Sequence, residues 1–123
     1  MYSLSQRSMQ NLSGVHPDLV AVVKRAIEIT EQDFSVIEGV RGINRQRELV
    51  AKGASQTMNS RHLTGHAVDL APYPLSWDWE YFYPIADAMK VAAEEFGVDL
   101  EWGGDWVSFK DGPHFQLPWD TYP

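Results

Sequence analysis

The sequence of 123 residues contains no cysteine, and this absence excludes a whole class of chemistry. Disulfides and thiolate-bound metals cannot form, so a transition metal in this chain must be held by histidine, aspartate or glutamate. No apolar run approaches the roughly 18 residues of a membrane span, and the first residues have no apolar stretch typical of a signal peptide. We therefore expect a protein that is made in the cytoplasm and is not inserted in a membrane.

Basic residues are also scarce, especially in the second half. Residues 1–66 carry 8 Lys/Arg and 6 Asp/Glu, a net charge of +2, whereas residues 67–123 carry 2 and 11, a net charge of −9. Without a basic cluster, nucleic acid is not expected as a partner.

A chain of this length with 44% hydrophobic residues predicts one domain spanning residues 1–123, with one core and no separate binding module. We expect it to act as a monomer.

Apolar periodicity predicts an α+β fold with a small antiparallel sheet packed against two longer helices. The longer helices are expected from Pro17 to about Thr30, after an irregular N-terminal arm, and from a cap at Ser76 or Asp78 to about Phe96. A shorter helix, capped by Asn44, is expected to end near Lys52. Four short runs predict strands: residues 34–40, 67–71, 98–102 and 114–117.

The most informative stretch runs from Ser60 to Asp69. In a continuous helix, His62 and Asp69 would lie about 10 Å apart along the axis, too far for metal bonds of about 2 Å, so the chain must bend at Thr64-Gly65. His114, in a second short strand, would be a third ligand. Three protein ligands that leave one position for water are typical of a catalytic zinc. The alternative is that Asp69 caps a turn and His114 packs in the core.

Asp111 precedes His114 by three residues and a Gly-Pro turn, a spacing that lets it act as general base on metal-activated water. The alternative is an ordinary turn aspartate. His66 follows His62 by four residues, but the zincin-like helical motif requires a glutamate where Leu63 stands. His66 is thus expected beside the metal or on the substrate side, or else is a surface histidine.

Four further residues are candidates for the walls of the site. Arg41 could bind a substrate carboxylate or a developing oxyanion, or form a surface salt bridge. The role of Ser60 is ambiguous in the same way, between a place in the site and an ordinary polar residue. Trp102 and Trp106 flank a double-glycine turn and could wall a cleft, or pack in the core.

The segments Ser60–Asp69 and Asp111–His114 together resemble the two motifs of the zinc peptidases of the D-alanyl-D-alanine carboxypeptidase type. The resemblance is strongest to small phage endolysins that are L-alanyl-D-glutamate peptidases, and segments 14–19, 38–41 and 102–106 share it. It implies the D-Ala-D-Ala metallopeptidase or hedgehog-like fold. It also implies one zinc ion held by His62, Asp69 and His114, with Asp111 as the catalytic base. Arg41 and Ser60 match the family's substrate-binding and transition-state positions. His66 and Trp106 are added as substrate-side candidates from the residues alone.

The activity implied by this resemblance is hydrolysis of the L-alanyl-D-glutamate bond of peptidoglycan stem peptides, with zinc-activated water as nucleophile and Asp111 as base. Such a phage or prophage enzyme is made in the host cytoplasm, acts on peptidoglycan in the periplasm after release, and lyses the cell. Two alternatives stay open. The same site could serve a D-alanyl-D-alanine carboxypeptidase or dipeptidase, or the domain could be a zinc-containing wall-binding module without catalysis.

Overall fold

The computed structural model describes residues 1–55 and 57–123, and its centre is a four-stranded antiparallel sheet with strand order β1-β2-β4-β3. This confirms the predicted fold class, although three of the four strands are shorter than predicted. The strands are β1 (Phe34–Glu38), β2 (Ala67–Pro72), β3 (Glu101–Trp102) and β4 (His114–Gln116).

The described residues also form four helices. They are α1 (Gln6–Asn11), α2 (Pro17–Ile29), α3 (Ile43–Ala51) and α4 (Phe82–Phe96). The α2 helix begins at Pro17 as predicted, since proline lacks the N–H that the first turn of a helix leaves unpaired. The α4 helix ends at Gly97, whose φ of +65° lies in the left-handed region that glycine adopts readily. Both helices bury apolar faces in one core with the sheet.

Three local predictions are wrong. The N-terminal arm is not irregular: α1 forms because Ser8 accepts the amide of Val36 and Asn11 donates to the carbonyl of the same residue, tertiary contacts that support a helix too short to be stable alone. Asn44 lies inside α3, whose N-cap is Gly42. The second long helix was expected to be capped by Ser76 or Asp78, but α4 begins at Phe82, after a 3-10 turn at Trp79–Tyr81.

The register of the sheet decides which side chains share a face. Asp69 pairs with His114 across β2 and β4, whereas their neighbours Val68 and Phe115 form the next pair and are fully buried in the core. Because side chains alternate along a strand, the polar pair faces away from α2 and α4 and lies on the side where Gln46 of α3 bonds Arg41. In the described residues, no helix has the length and apolar character needed to cross a membrane.

Candidate metal and catalytic site

A short 3-10 helix, Arg61–Thr64, delivers His62 to the polar face of the sheet. The hydroxyl of Ser60 caps it by accepting the amide of His62 at 3.2 Å. Gly65 ends it with φ +79°, and a Cβ there would lie 2.5 Å from the carbonyl oxygen of Gly14. The chain therefore bends where the sequence predicted a bend, and only glycine fits the position.

His62, Asp69 and His114 meet at one point. Each offers one ligand atom, and these atoms all lie within 4.8 Å of one another. The Oδ1 atom of Asp69 is 3.2 Å from Nε2 of His62 and 3.3 Å from Nδ1 of His114. The three residues come from the 3-10 helix, β2 and β4, so the sheet and its flanking turn build the cluster together.

The outer nitrogens of both imidazoles are occupied by hydrogen bonds. Nδ1 of His62 lies 2.8 Å from the carbonyl oxygen of Gly39, and Nε2 of His114 lies 2.7 Å from Oε1 of Gln116. Both partners are acceptors, so each outer nitrogen carries the proton and a neutral ring turns its lone pair toward Asp69. Three acceptor atoms facing one another require a cation between them, either protons or a metal ion.

The electrostatics of the cluster agree with this requirement. Burial opposes the charged form of Asp69, but hydrogen bonds from His114 and His62 hold the pKa of its carboxyl far below the ordinary value. Burial likewise opposes charging of His114, yet the Asp69 carboxylate raises the pKa of its ring. Two imidazole nitrogens and one carboxylate oxygen form a donor set that suits a divalent transition metal.

Asp111 lies on the turn that leads into β4 and lines the same cleft as the three candidate ligands. Its amide donates to the carbonyl oxygen of Gly103 at 3.0 Å. A Cβ on Gly103 would lie 2.4 Å from the carbonyl oxygen of Asp111, so this close approach requires glycine. Burial, reinforced by the negative charge of Asp69, raises the pKa of Asp111. A carboxylate with a raised pKa is a better proton acceptor.

Arg41 is held on two sides. It makes two 2.8 Å bonds to the carboxylate of Glu38 and one 2.8 Å bond to Oε1 of Gln46, and Oδ2 of Asp69 lies 3.6 Å away. Its side chain is only 8% exposed, so the pair with Glu38 is not the surface salt bridge considered as the alternative. Sequence reasoning missed Glu38 and Gln46; the three-residue spacing of Glu38 and Arg41 was the available signal.

A cleft of about 780 Å³ opens over this cluster. Among the residues singled out from the sequence, Arg41, Ser60, Trp106 and Asp111 line it together with the three candidate ligands. The ring of Trp106 lies 5.3 Å from that of His114. Trp102 does not reach the cleft lining: it is 5% exposed and stacks on the core residue Phe115, which is the alternative that the sequence left open.

His66 lies apart from this group and is not among the residues that line the cleft. It precedes Asp69 by three residues, an odd number that turns its side chain away from the ligand face at the entrance to β2. Its Nδ1 lies 2.7 Å from the hydroxyl of Thr64, and its ring lies 5.4 Å from that of His16. Burial, with the positive charges of Arg61 and His16, lowers the pKa of His66.

Two residues that sequence reasoning did not single out support the cleft wall. Arg61 is 3% exposed and donates to the carbonyl oxygens of Leu117 and Tyr122. Its guanidinium carbon lies 3.9 Å from the centre of the Trp119 ring, which lines the cleft. A buried arginine that satisfies main-chain carbonyls leaves no signature in a single sequence, so this contact is visible only in the folded chain.

Comparisons with known proteins agree with this geometry. A family model for phage L-alanyl-D-glutamate peptidases matches residues 1–117. The L-alanyl-D-glutamate peptidase of Escherichia phage T5 is 32% identical, over 98% of this chain and 93% of that protein. The crystal structure of the Serratia marcescens L-Ala D-Glu endopeptidase ChiX is 54% identical, with a TM-score of 0.92 over 96% of this chain and 91% of that one. The D,D-dipeptidase VanXYg is 16% identical, with a TM-score of 0.54 over 84% of this chain and 50% of that one, and shows a shared fold.

Proposed function

The chain belongs to the phage L-alanyl-D-glutamate peptidase family, and on this premise we propose that it hydrolyses the L-alanyl-D-glutamate bond in the stem peptides of bacterial peptidoglycan. The observation that carries the proposal is the joint presence, in one cleft, of the His62, Asp69 and His114 cluster and the Asp111 carboxylate. A metallopeptidase needs this combination of a metal site and a base.

The proposed metal is one zinc ion per chain, held by His62, Asp69 and His114. The donor set of two imidazoles and one carboxylate supports zinc, because catalytic zinc sites combine three protein ligands of these types with an open position. Zinc would supply a Lewis acid that polarises the peptide carbonyl and acidifies a water molecule. The protein positions both rings for this purpose through the hydrogen bonds from their outer nitrogens.

Asp111 is the proposed general base. Its carboxylate takes the proton from the attacking water and then passes it to the leaving amine of the D-glutamate residue, so one group serves as base and then as acid. The raised pKa of Asp111 supports both roles, because a more basic carboxylate accepts the proton more readily and still releases it to an amine. The hydrogen bond from the Asp111 amide to Gly103 fixes the main chain that carries this carboxylate.

The cleft walls are proposed to bind the substrate. Arg41, fixed by Glu38 and Gln46, would place positive charge where the carbonyl oxygen becomes negative in the transition state. The Ser60 oxygen accepts the amide of His62, which leaves its hydroxyl hydrogen for a substrate acceptor. Trp106, beside His114, would cover one side of the bound peptide and exclude water.

We also propose that residues 1–123 act as one monomeric peptidase unit. Its place of action is peptidoglycan, in the periplasm, reached after release from the cytoplasm of the host cell.

The decisive experiment is mass spectrometry of muropeptides after purified sacculi are incubated with the zinc-loaded protein. We expect new fragments with N-terminal D-glutamate, and loss of cleavage after chelation that zinc restores. Asp111→Asn should be inactive. Asp105→Asn is the matched control, because Asp105 is an exposed acid nearby that pairs with Lys90 and does not line the cleft. Release of D-alanine with an intact L-alanyl-D-glutamate bond would instead identify a D,D-peptidase, and intact muropeptides would refute catalysis.

A further inference from the structure

Gln116 and Glu101 form a chain of hydrogen bonds that ends on the ligand His114. Nε2 of Gln116 donates to Oε2 of Glu101 at 2.8 Å, and Oε1 of Gln116 lies 2.7 Å from Nε2 of His114. Gln116 is 8% exposed and His114 is 6% exposed, so water has little access to either contact. We propose that Gln116, oriented by Glu101, is a positioning residue that fixes the tautomer of His114 and so directs its Nδ1 lone pair to the metal.

The direction of the amide follows from chemistry. A glutamine side chain has a donor end and an acceptor end, and an ionised carboxylate only accepts. Glu101 therefore selects the NH₂ end of Gln116, which turns the oxygen toward His114. That oxygen accepts a hydrogen bond from Nε2–H, so the imidazole keeps its proton on Nε2 and presents an unprotonated Nδ1 toward Asp69, 3.3 Å away.

The strand geometry brings the three residues together. His114 and Gln116 are separated by two positions on β4 and therefore share a face, while Phe115 between them is fully buried in the core. Glu101 lies directly opposite Gln116 across β3 and β4. The pairing of β3 therefore has a chemical consequence: this strand of two residues places the carboxylate that orients the amide.

An amide in this position differs from a carboxylate in a useful way. A carboxylate that accepted the hydrogen bond from Nε2 of His114 would favour the same tautomer, but it would add a negative charge beside Asp69 and Asp111, which already share the cleft. Gln116 gives the orientation without that charge, and the carboxylate of Glu101 stays one residue further from the metal. Partners of this kind to metal-binding histidines are typically worth 10-fold to 100-fold in metal affinity.

The test compares zinc affinity and the tautomer of His114 in the original protein and in four variants. Zinc affinity is measured by competition with a chromophoric chelator, and the tautomer by long-range ¹H–¹⁵N NMR of the ring, on metal-free protein at alkaline pH and on zinc-loaded protein. Gln116→Leu should weaken zinc binding by about 10-fold to 100-fold and leave metal-free His114 as a mixture of tautomers. Glu101→Gln, a change in a partly exposed side chain, should weaken zinc binding by a smaller factor. Without the carboxylate, the Gln116 amide can rotate and present its NH₂ group instead of its oxygen to His114.

The double exchange Glu101→Gln with Gln116→Glu provides the rescue. The carboxylate at position 116 would accept both the Nε2–H of His114 and the amide of residue 101, so the Nε2–H tautomer should return and the zinc affinity should recover to within a few-fold of the original. Gln32→Leu is the control, since the Gln32 amide binds the carbonyls of Asp33 and Tyr73, away from the ligands. It should change neither quantity.

The inference rests on the proposed zinc site, and the measurements separate the two. If Gln116→Leu leaves the tautomer of His114 unchanged, the proposal is overturned, whether or not zinc binding weakens. If the double exchange fails to restore the tautomer, Glu101 does not act by orienting the amide, and that part is overturned. If the protein does not bind zinc but its metal-free tautomer depends on Gln116, the positioning role stands and the proposed metal is wrong.

Discussion

Replacing Gly103 by alanine tests whether the position of Asp111 controls catalysis separately from metal binding. The added Cβ would lie 2.4 Å from the Asp111 carbonyl oxygen and 3.0 Å from its Cβ, whereas ordinary contact begins near 3.4 Å. The main chain of Asp111 must therefore move by about 1 Å. A misplacement of about 1 Å at a reacting group can cost on the order of 100-fold in rate, or about 2.7 kcal/mol of transition-state stabilisation.

We expect Gly103→Ala to lower kcat by about 100-fold while KM changes little, because the movement displaces a base that acts in the transition state. Zinc affinity should stay within about 10-fold, since His62 and Asp69 lie on other elements and His114 is held by strand pairing on both sides. The assay is steady-state cleavage of a soluble muropeptide, with zinc stoichiometry measured in parallel.

Gly42→Ala is the matched control. A Cβ on Gly42 would meet nothing within 4 Å, so kcat should stay within a factor of about two. If folded, zinc-loaded Gly103→Ala keeps kcat within about three-fold, the reasoning that this turn positions the base is refuted.

Three other predictions follow from the site. Asp111→Asn should lower kcat by about 10²-fold to 10⁴-fold without lowering the zinc content, because it removes only the proton acceptor; loss of zinc as well would contradict this. Arg61→Leu should destabilise the fold by about 2–4 kcal/mol in chemical denaturation, because one buried and one partly buried carbonyl lose a charged donor, and a change under about 1 kcal/mol would contradict it. His66 has a lowered pKa, caused first by burial and then by nearby positive charge, so it makes folding less favourable as the pH falls below about 6.5. His66→Gln should therefore reduce the loss of stability between about pH 7.5 and 5.5, by less than about 1 kcal/mol, and an unchanged pH dependence of the unfolding midpoint would refute it.

The parts of the fold that could be predicted from the sequence are those with a local cause. Pro17 starts one helix and Gly97 ends another because of their own backbone preferences. The bend at Gly65 could be predicted because His62 and Asp69 can bind one metal ion only if the chain turns between them. The α1 helix could not be predicted because it is supported by contacts to Val36, far along the chain.

The candidate site shows the same division. Histidine and aspartate are common metal ligands, and the lack of cysteine restricts the possible ligands of a transition metal to histidine, aspartate and glutamate. The three candidate ligands could therefore be named from the sequence. Their role in binding metal stays a prediction. Gln116 and Gln46 carry no such signal. Their roles follow from contacts that form only in the folded chain: Gln116 bonds His114 on β4, and Gln46 of α3 bonds Arg41. The side of the sheet to which His66 points depends on whether an odd or an even number of residues separates it from Asp69.

The sharing of the Asp69 carboxylate across β2 and β4 has a consequence for local stability. Asp69 and His114 are direct cross-strand partners, and β4 and its neighbour β3 have only three and two residues, so an ion held between Asp69 and His114 would tie this short end of the sheet to β2. Metal binding and closure of this edge would then be one linked equilibrium. Without the ion, β3 and β4 should open before the rest of the sheet, and their amides should exchange with solvent fastest among the strands.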